Sequence, residues 1–244
     1  MAKRPIFLPD IESDINFVKI INIEFQWTPG IAFSQQQKNV KSIVENAKRE
    51  YNLNILEVSS KSMDPNGKKL SAFNLALNLE KLDIKFDHKF ITVESAYQGS
   101  KVFEDGGPYI EIYKKGSSEA KKEIATQNDS VLLAFDFFGD KWPNKPYTAF
   151  YNWLYINALN QQNNIIETLM NFDGYSDISF NPNKSINCQA YSCALYVALF
   201  KREILQDVIS DKNKFLELMK KIEKICYKSV NKIEKKENNS QGLF

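Results

Sequence analysis

Near its N-terminus the chain has a strand-like, a helix-like and a second strand-like segment in succession, and this order constrains the fold more than any other feature. The segment Phe17–Phe25 (FVKIINIEF) is rich in β-branched and aromatic residues, which predicts a strand. Ser34 and Gln37 have the spacing of a capping box, which predicts a helix over Gln35–Tyr51. Asn54–Ser59 (NILEVS) then predicts a second strand. We therefore expect a small β component at the front of the molecule.

Beyond this region the pattern is mainly helical. An apolar periodicity or a buried-looking apolar composition identifies most of these segments. The predicted helices are Thr92–Phe103, Ser117–Gln127, Thr148–Phe172, Ile186–Phe200 and Asp211–Lys235. The chain has no internal repeat and no Gly/Ser linker. We therefore predict an α+β fold, predominantly helical, with residues 1–235 forming a single compact domain and 236–244 forming a flexible tail.

Several segments between these helices are irregular or ambiguous. Lys61–Lys69 contains Asp-Pro-Asn-Gly, which is typical of a turn, and Asp173–Ser185 is rich in Asp, Asn and Ser. Leu70–Leu79 and Val131–Phe138 are apolar and fit either a helix or an extended chain. Two shorter elements are also predicted: a strand over Ile84–Ile91 and a turn at Trp142 and Pro143.

Composition and charge exclude several classes of protein. The net charge of +2 gives no overall electrostatic argument for nucleic-acid binding. A local basic patch would still attract nucleic acid, because the field depends on how the charges are distributed and not only on their sum. The three cysteines, Cys188, Cys193 and Cys226, have no CxxC spacing and do not form a disulfide framework. No stretch approaches the roughly 20 apolar residues of a membrane span. We expect a soluble, cytoplasmic protein.

The sequence also lacks the signatures of the common catalytic sites. His88 is the only histidine, which argues against a Ser–His–Asp triad or a histidine metal site. Neither GxGxxG nor a P-loop pattern occurs, so nucleotide sites of those classes are unsupported. We therefore predict no metal and no cofactor.

Three groups of polar residues are candidates for a site. On a helix over Thr92–Phe103, the side chains of Glu94, Gln98 and Lys101 would share one face, and spacing alone favours a solvent-exposed face over the wall of a pocket. Lys61 stands in a Ser-Ser-Lys-Ser sequence directly after a strand. Held near a cleft it could act as a nucleophile, although an ordinary strand-end lysine is the commoner case.

The third group lies between two apolar helices. The stretch from Tyr175 to Gln189 contains many hydrogen-bonding side chains, which fit either a polar site or a series of caps and turns equally well. The aromatic residues of the region 142–155 could stack on a base or a ribose, but at helical spacing such residues more often form a core.

Five motifs together resemble the NADAR (NAD- and ADP-ribose-associated, YbiA-like) family, and more closely its branch of antitoxins associated with DarT-type ADP-ribosyltransferases. The motifs are FQWTPGIAFSQQQKN at 25–39, SSKSMDPNGKKLSAFNL at 59–75, TVESAYQGSKVFEDGGPY at 92–109, TAFYNWLYINAL at 148–159 and SDISFNPNKSINCQA at 176–190. Three departures occur. Ser95 replaces a family histidine, Ala72 replaces an asparagine with Asn74 two residues later, and the tryptophan of the family's C-terminal block is missing.

The resemblance implies a NADAR-type domain that removes ADP-ribose from guanine bases and so reverses the modification made by the toxin. It implies that Lys61 and Glu94 are catalytic, with Lys61 forming an imine with the ribose and Glu94 transferring protons. The residues implied in substrate binding are Phe73, Asn74, Tyr97, Gln98, Lys101, Asp177 and Asn187. The expected partners are ADP-ribosylated DNA or ADP-ribose, with the toxin as a functional partner.

Two alternatives to this function stay open at the level of sequence. One is an N-glycosidase that acts on a small phosphorylated ribosyl metabolite. The other is a non-enzymatic protein that binds ADP-ribose or neutralises the toxin by binding.

Overall fold

The computed structural model describes residues 1–13, 15–125, 130–181 and 187–223. The strands are β1 (Ala2–Pro9), β2 (Val18–Phe25), β3 (Ile55–Glu57), β4 (Ala76–Asn78), β5 (Phe90–Thr92), β6 (Lys101–Phe103), β7 (Leu132–Phe137), β8 (Asp140–Pro143) and β9 (Gly174–Ser176). The helices are α1 (Phe33–Tyr51), α2 (Pro65–Lys69), α3 (Val93–Gly99), α4 (Ser117–Ala125), α5 (Ala149–Asn160), α6 (Ile165–Met170), α7 (Gln189–Lys201), α8 (Leu205–Ile209) and α9 (212–223). Short 3₁₀ turns lie at Glu80–Leu82 and Ile110–Lys114.

A mixed sheet of order β2-β1-β9-β3 lies between α1 on one face and α7 on the other. β1 pairs antiparallel with both β2 and β9, whereas β3 and β9 are parallel. Ile23, Val40 and Ile43 are among the residues that bury the α1 face. The parallel pair is important for the site, because it brings the ends of β3 and β9 to the same edge of the sheet.

The larger core lies on the α7 side of the sheet. α5 and α7 pack against each other, and both are buried around almost their whole circumference. Tyr155 of α5 donates a hydrogen bond from its hydroxyl to the Leu70 carbonyl at 2.5 Å, which ties the segment after α2 to this core. The aromatic residues of α5 are therefore mainly core residues.

The predicted α+β class with strands near the N-terminus is confirmed. Strands also occur further along the chain, in the pair β4-β5 and in the three-stranded sheet β6-β7-β8. Among the described residues, no helix is both long enough and apolar enough to cross a membrane.

Several predicted elements have different boundaries in the structure. The capping-box prediction was wrong, since α1 begins at Phe33 and it is Gln35 Oε1 that accepts from the Ala32 amide. The segment Thr148–Phe172, predicted to contain one long helix, holds the two helices α5 and α6, because Asn164 between them has a left-handed backbone with φ of 54°. The turn predicted at Trp142 is strand β8.

Other corrections concern segments that were predicted as irregular or were not predicted. The loop Lys61–Lys69 contains α2, whose N-cap Asp64 accepts from the Asn66 amide at 2.7 Å. The Asp173–Ser185 stretch contains β9, and Val131–Phe138 contains β7. β1 was not predicted. The predicted flexible tail 236–244 and the end of the last predicted helix lie outside the described residues.

The first prediction concerns Gly67 in α2. A Cβ at this position would lie 2.1 Å from the Glu57 carbonyl oxygen and 2.4 Å from Ser62 Oγ. We expect Gly67→Ala to lower the free energy of unfolding by about 1–3 kcal/mol, because backbone must move to relieve the overlap. Urea denaturation measures this change. Lys69→Ala, at an exposed position of the same helix, is the control, and an equally small effect of both substitutions would contradict the packing argument.

Candidate active site

A polar pocket of about 390 Å³ opens beside α3, α5 and the segment that follows β9. Ligand pockets usually have volumes of about 300–1,000 Å³. The predicted site residues that line this pocket are Phe73, Glu94, Tyr97, Gln98, Asp177 and Asn187. Of the other lining residues, Ser179, Phe180 and Gln189 belong to the candidate stretch 175–189, and Tyr151 belongs to the aromatic group of the region 142–155. Ala72 occupies the position of the family's asparagine, and only Lys121 was missed by sequence reasoning. The structure thus brings together residues from distant parts of the chain.

Helix α3 forms one wall of the pocket. It begins because Thr92 Oγ1 accepts from the Ser95 amide, and Val93 and Ala96 bury its other side. Glu94 and Gln98 are each only 7% exposed. The polar face is therefore a pocket wall, and the solvent-exposed face that spacing favoured is not observed.

The Gln98 amide fixes the Glu94 carboxylate. Its Nε2 atom donates to Glu94 Oε1 at 2.8 Å. This bond turns Gln98 Oε1 the other way, and that buried oxygen has no hydrogen-bond partner within the part of the chain that the structure describes. An unsatisfied buried acceptor is costly, so Gln98 Oε1 is a candidate to receive a hydrogen bond from a ligand.

Lys101 does not share the helix with Glu94. The helix ends at Gly99 because Ser100 Oγ donates to the Ala96 carbonyl and the next residues pair with β7. The i+7 argument for Lys101 was therefore wrong, and Lys101 does not line the pocket. It is nevertheless close, since its Nζ atom lies 5.0 Å from the centre of the Tyr97 ring. Burial lowers the pKa of Lys101 to about 8, and the Glu94 carboxylate opposes part of that shift.

The backbone of Ala72 connects two walls of the pocket. Its carbonyl accepts from the Glu94 amide at 3.0 Å, and its own amide donates to Gln189 Oε1 at 2.7 Å. The side chain of Gln189 also hydrogen-bonds to Asp177. Because these links use backbone atoms at residue 72, the replacement of the family's asparagine by alanine leaves them intact.

Asn74 lies outside the pocket. Its side chain is exposed, and its Nδ2 atom donates to the Lys68 carbonyl at 2.8 Å. Its predicted role in substrate binding stays a prediction. Ser95, which replaces the family histidine, also faces away from the pocket, since its Oγ atom bonds to Thr92 Oγ1 and donates to the Lys115 carbonyl.

The rest of the lining includes Asp177, Tyr151 of α5 and Tyr97 of α3. Asp177 accepts from the Ser179 amide at 3.0 Å, and burial raises the pKa of its carboxyl group. Asn187 donates to the Tyr97 hydroxyl at 2.8 Å. Burial, followed by the charges of Glu94 and Asp177, raises the pKa of the Tyr151 phenol well above its ordinary value. The pocket therefore combines two carboxylates with two protonated phenols.

Glu57, at the end of β3, is a buried carboxylate that sequence reasoning missed. It is only 2% exposed and accepts from Ser59 Oγ at 2.6 Å, from Ser176 Oγ at 2.5 Å and from the Ile178 amide at 2.9 Å. Burial and the charge of Asp177 raise its pKa to about 8. The signal that could have found it is an acid inside an otherwise apolar strand, NILEVS.

Lys61 lies in the turn that follows β3. Its amide donates to Ser59 Oγ at 3.1 Å, and its Nζ atom donates to Ser60 Oγ at 2.9 Å. The side chain is half-buried and does not line the pocket as the structure describes it. The turn nevertheless lies at the same sheet edge as Asp177, because the Val58 amide donates to the Ser176 carbonyl.

Two lysines, Lys121 of α4 and Lys101 of β6, lie at or near the pocket. Lys121 lines it, with its Nζ atom 5.6 Å from the centre of the Phe73 ring. The charge of Lys121 contributes to lowering the pKa of Lys101, which indicates that the two amines are near each other. They form a local concentration of positive charge in a chain of low net charge.

The fold and the pocket define an α+β protein with a polar pocket that is lined by two carboxylates and has lysines beside it. The family described as the DarT1-associated NADAR antitoxin matches residues 2–228. The match covers almost the whole chain, so the chain belongs to this family, and the resemblance found in the sequence motifs is confirmed. No curated protein matches the chain.

The second prediction concerns Glu57 and pH. Its folded-state pKa of about 8 lies above the ordinary value of 4.5, so the folded protein binds more protons than the unfolded chain between these values. The free energy of unfolding should therefore fall as pH rises through this window, by up to about 1.4 kcal/mol for each pKa unit. We expect Glu57→Gln to reduce this loss, as measured by urea denaturation at pH 5 and pH 8.

Glu104→Gln, which removes an exposed negative charge, is the control for the effect of net charge on the pH dependence of stability. If Glu57→Gln and Glu104→Gln showed the same pH dependence, the burial argument for Glu57 would be wrong.

Proposed function

We propose that this antitoxin-family protein is a DNA ADP-ribosyl-guanine hydrolase, which removes ADP-ribose from guanine bases modified by a DarT-type toxin. The observation that carries the proposal is the Glu94 carboxylate, buried in a polar pocket and oriented by Gln98. Cleavage of a glycosidic bond needs a positioned proton donor, and a buried carboxyl group is suited to that role. Membership of the DarT1-associated family supports the choice of substrate.

The proposed mechanism uses Lys61 and Glu94. The amine of Lys61 bonds to C1″ of the ribose, and the C1″–N bond to guanine breaks with its electron pair leaving on the guanine nitrogen. Glu94 gives that nitrogen a proton. Opening of the ribose ring, with transfer of a proton from the amine to the ring oxygen, produces an imine. Water then adds to C1″ and gives a proton to the Glu94 carboxylate, and the bond between C1″ and the Lys61 nitrogen breaks to release ADP-ribose and the free amine.

The mechanism requires a change in the contacts of Lys61. Its Nζ atom now donates to Ser60 Oγ, and this bond must be exchanged before the amine reaches the pocket. A half-buried side chain on a turn can rotate without disturbing the core. Asp177, at the same edge of the sheet, is placed to hydrogen-bond to the ribose near the reacting carbon.

The other side chains of the pocket fit the remaining parts of the substrate. Lys121 in the lining supplies positive charge for the diphosphate, and Lys101, beside the lining, adds to the local charge. Phe73 and Phe180 offer half-buried aromatic faces for stacking with a base or the ribose. A guanine in single-stranded DNA reaches such a pocket more easily than one stacked in a duplex.

A protein that binds ADP-ribose without cleaving it is the second candidate. The position of Lys61 favours it, because that amine contacts Ser60 and does not line the pocket. A binding-only antitoxin predicts that a Lys61→Ala/Glu94→Gln double variant still protects cells from the toxin. Hydrolysis of a small phosphorylated ribosyl metabolite would instead show faster turnover of free nucleotides than of modified DNA.

The third prediction tests the two catalytic residues. We expect Lys61→Ala and Glu94→Gln each to lower release of ADP-ribose from guanine-modified DNA by roughly 100-fold or more, since each removes a group that acts on the reacting atoms. Glu94→Gln keeps an acceptor for the Gln98 amide, so the fold should survive. Chromatography of released ADP-ribose measures turnover.

Lys69→Ala, which removes an exposed lysine outside this pocket, should keep wild-type turnover. Wild-type turnover in either Lys61→Ala or Glu94→Gln would remove that residue from the mechanism. DNA that carries ADP-ribosylated thymine serves as the comparison for base preference.

The fourth prediction concerns Lys121. We expect Lys121→Ala to weaken ADP-ribose binding roughly tenfold, because a hydrogen bond between a charged amine and a phosphate contributes about 1.5–3 kcal/mol. The effect should shrink at high salt. Lys122→Ala on the same helix is the control, and equal affinities of the two variants in calorimetry would argue against a phosphate contact at Lys121.

A further inference from the structure

The carboxylate of Glu57 joins the two segments that carry Lys61 and Asp177. Through Oε1 it accepts from Ser59 Oγ, and Ser59 Oγ in turn accepts from the Lys61 amide. Through both of its oxygens it also holds the residues on either side of Asp177, since Ser176 Oγ donates to Oε2 and the Ile178 amide donates to Oε1. One side chain therefore contacts both segments.

Glu57, Ser59, Ser176 and the Ile178 amide form a buried polar cluster. Stability of the fold alone does not require a carboxyl group with these particular donors. A buried carboxylate is costly unless its lone pairs are used, and an apolar side chain of similar size would often be as stable. Here the donors come from the turn that precedes Lys61 and from the residues next to Asp177, and both segments lie at the sheet edge formed by β3 and β9. The polar cluster thus fixes the relative positions of these two segments.

We propose that Glu57 is a positioning residue, which holds the Lys61 turn and Asp177 in the relative arrangement that the reaction needs. This inference rests on the proposed function for its effect on turnover, but its effect on the two segments can be measured separately. Glu57 does not touch the substrate in this scheme. It acts through Ser59 on the Lys61 side and through Ser176 and Ile178 on the Asp177 side.

Substitution of each serine tests separately the link from Glu57 to the Lys61 turn and the link from Glu57 to the segment around Asp177. Ser59→Ala removes the link to the Lys61 turn, and we expect it to lower kcat up to about 100-fold while ADP-ribose affinity stays near wild type. Ser176→Ala removes a link beside Asp177, and we expect it to weaken ADP-ribose binding with little change at Lys61. Glu57→Gln should produce both effects. Glu57→Asp, which keeps the carboxyl group, should recover part of the loss.

A readout at Lys61 itself distinguishes positioning from general destabilisation. The rate at which an amine-specific reagent labels Lys61, followed by peptide mass spectrometry, should change in Ser59→Ala and Glu57→Gln but not in Ser176→Ala. Hydrogen exchange of the Lys61 amide should accelerate in the same two variants. Ser192→Ala in α7 is the matched control for stability, because it removes an equally buried hydroxyl, which donates to Asn152 Oδ1 in α5.

The inference is overturned if folded Ser59→Ala and Glu57→Gln label and exchange at Lys61 as the wild type does. It is also overturned if Ser192→Ala reproduces their effects. Should the wild-type protein fail to release ADP-ribose from guanine, the proposed function fails, and labelling, exchange and ADP-ribose affinity still decide whether Glu57 positions the two segments. If Glu57→Gln does not fold, the two serine variants decide the question.

Discussion

The structure of the site depends on the hydrogen bonds of one buried carboxylate. Glu57 is almost fully excluded from water, so its oxygens must find donors within the protein. The donors lie at the ends of the parallel strands β3 and β9, and one of them, Ser176, is 119 residues from Glu57 in the sequence. Asp177 and the turn that carries Lys61 therefore lie at one edge of the sheet, although neither segment has regular structure of its own beyond the strands.

The other half of the site is held by backbone hydrogen bonds. The backbone of Ala72 links the start of α3 to Gln189, and the Gln189 side chain hydrogen-bonds to Asp177. Glu94 and Asp177 thereby become walls of one pocket. The aromatic core of α5 and α7 supports both walls, and Tyr151 from α5 completes the lining between them. The pocket is thus built from side chains fixed by buried contacts, which is the arrangement expected of a pre-organised site.

Local sequence predicted those parts of the site that local structure determines. Glu94 and Gln98 belong to a single helical turn with a threonine cap, and their shared face could be inferred from spacing alone. Lys101 could not be placed in this way, because Ser100 and the pairing of the next residues with β7 end the helix. The burial of the polar face also depends on packing with segments far along the chain. Spacing carries no information about such packing.

The residues that sequence reasoning missed share this dependence on tertiary structure. Lys121 reaches the pocket only because α4 packs against α3. Glu57 gains its importance from Ser176 and Ile178, which no local pattern connects to it. β1 was not predicted because its sequence contains two prolines and adjacent basic residues, and it forms because β2 pairs with its full length. The resemblance to a family supplied the order of motifs, and the fold explains why that order makes one pocket.

The central claim is that Lys61 attacks the ribose while Glu94 transfers the proton, and covalent trapping tests it most directly. Wild-type protein is incubated with guanine-ADP-ribosylated DNA in the presence of borohydride, which reduces an imine to a stable amine, and the adduct is located by peptide mass spectrometry. The account predicts a single ADP-ribose adduct on Lys61 that is lost in Lys61→Ala. An adduct on Lys101 or Lys121, or turnover without any adduct, would contradict it.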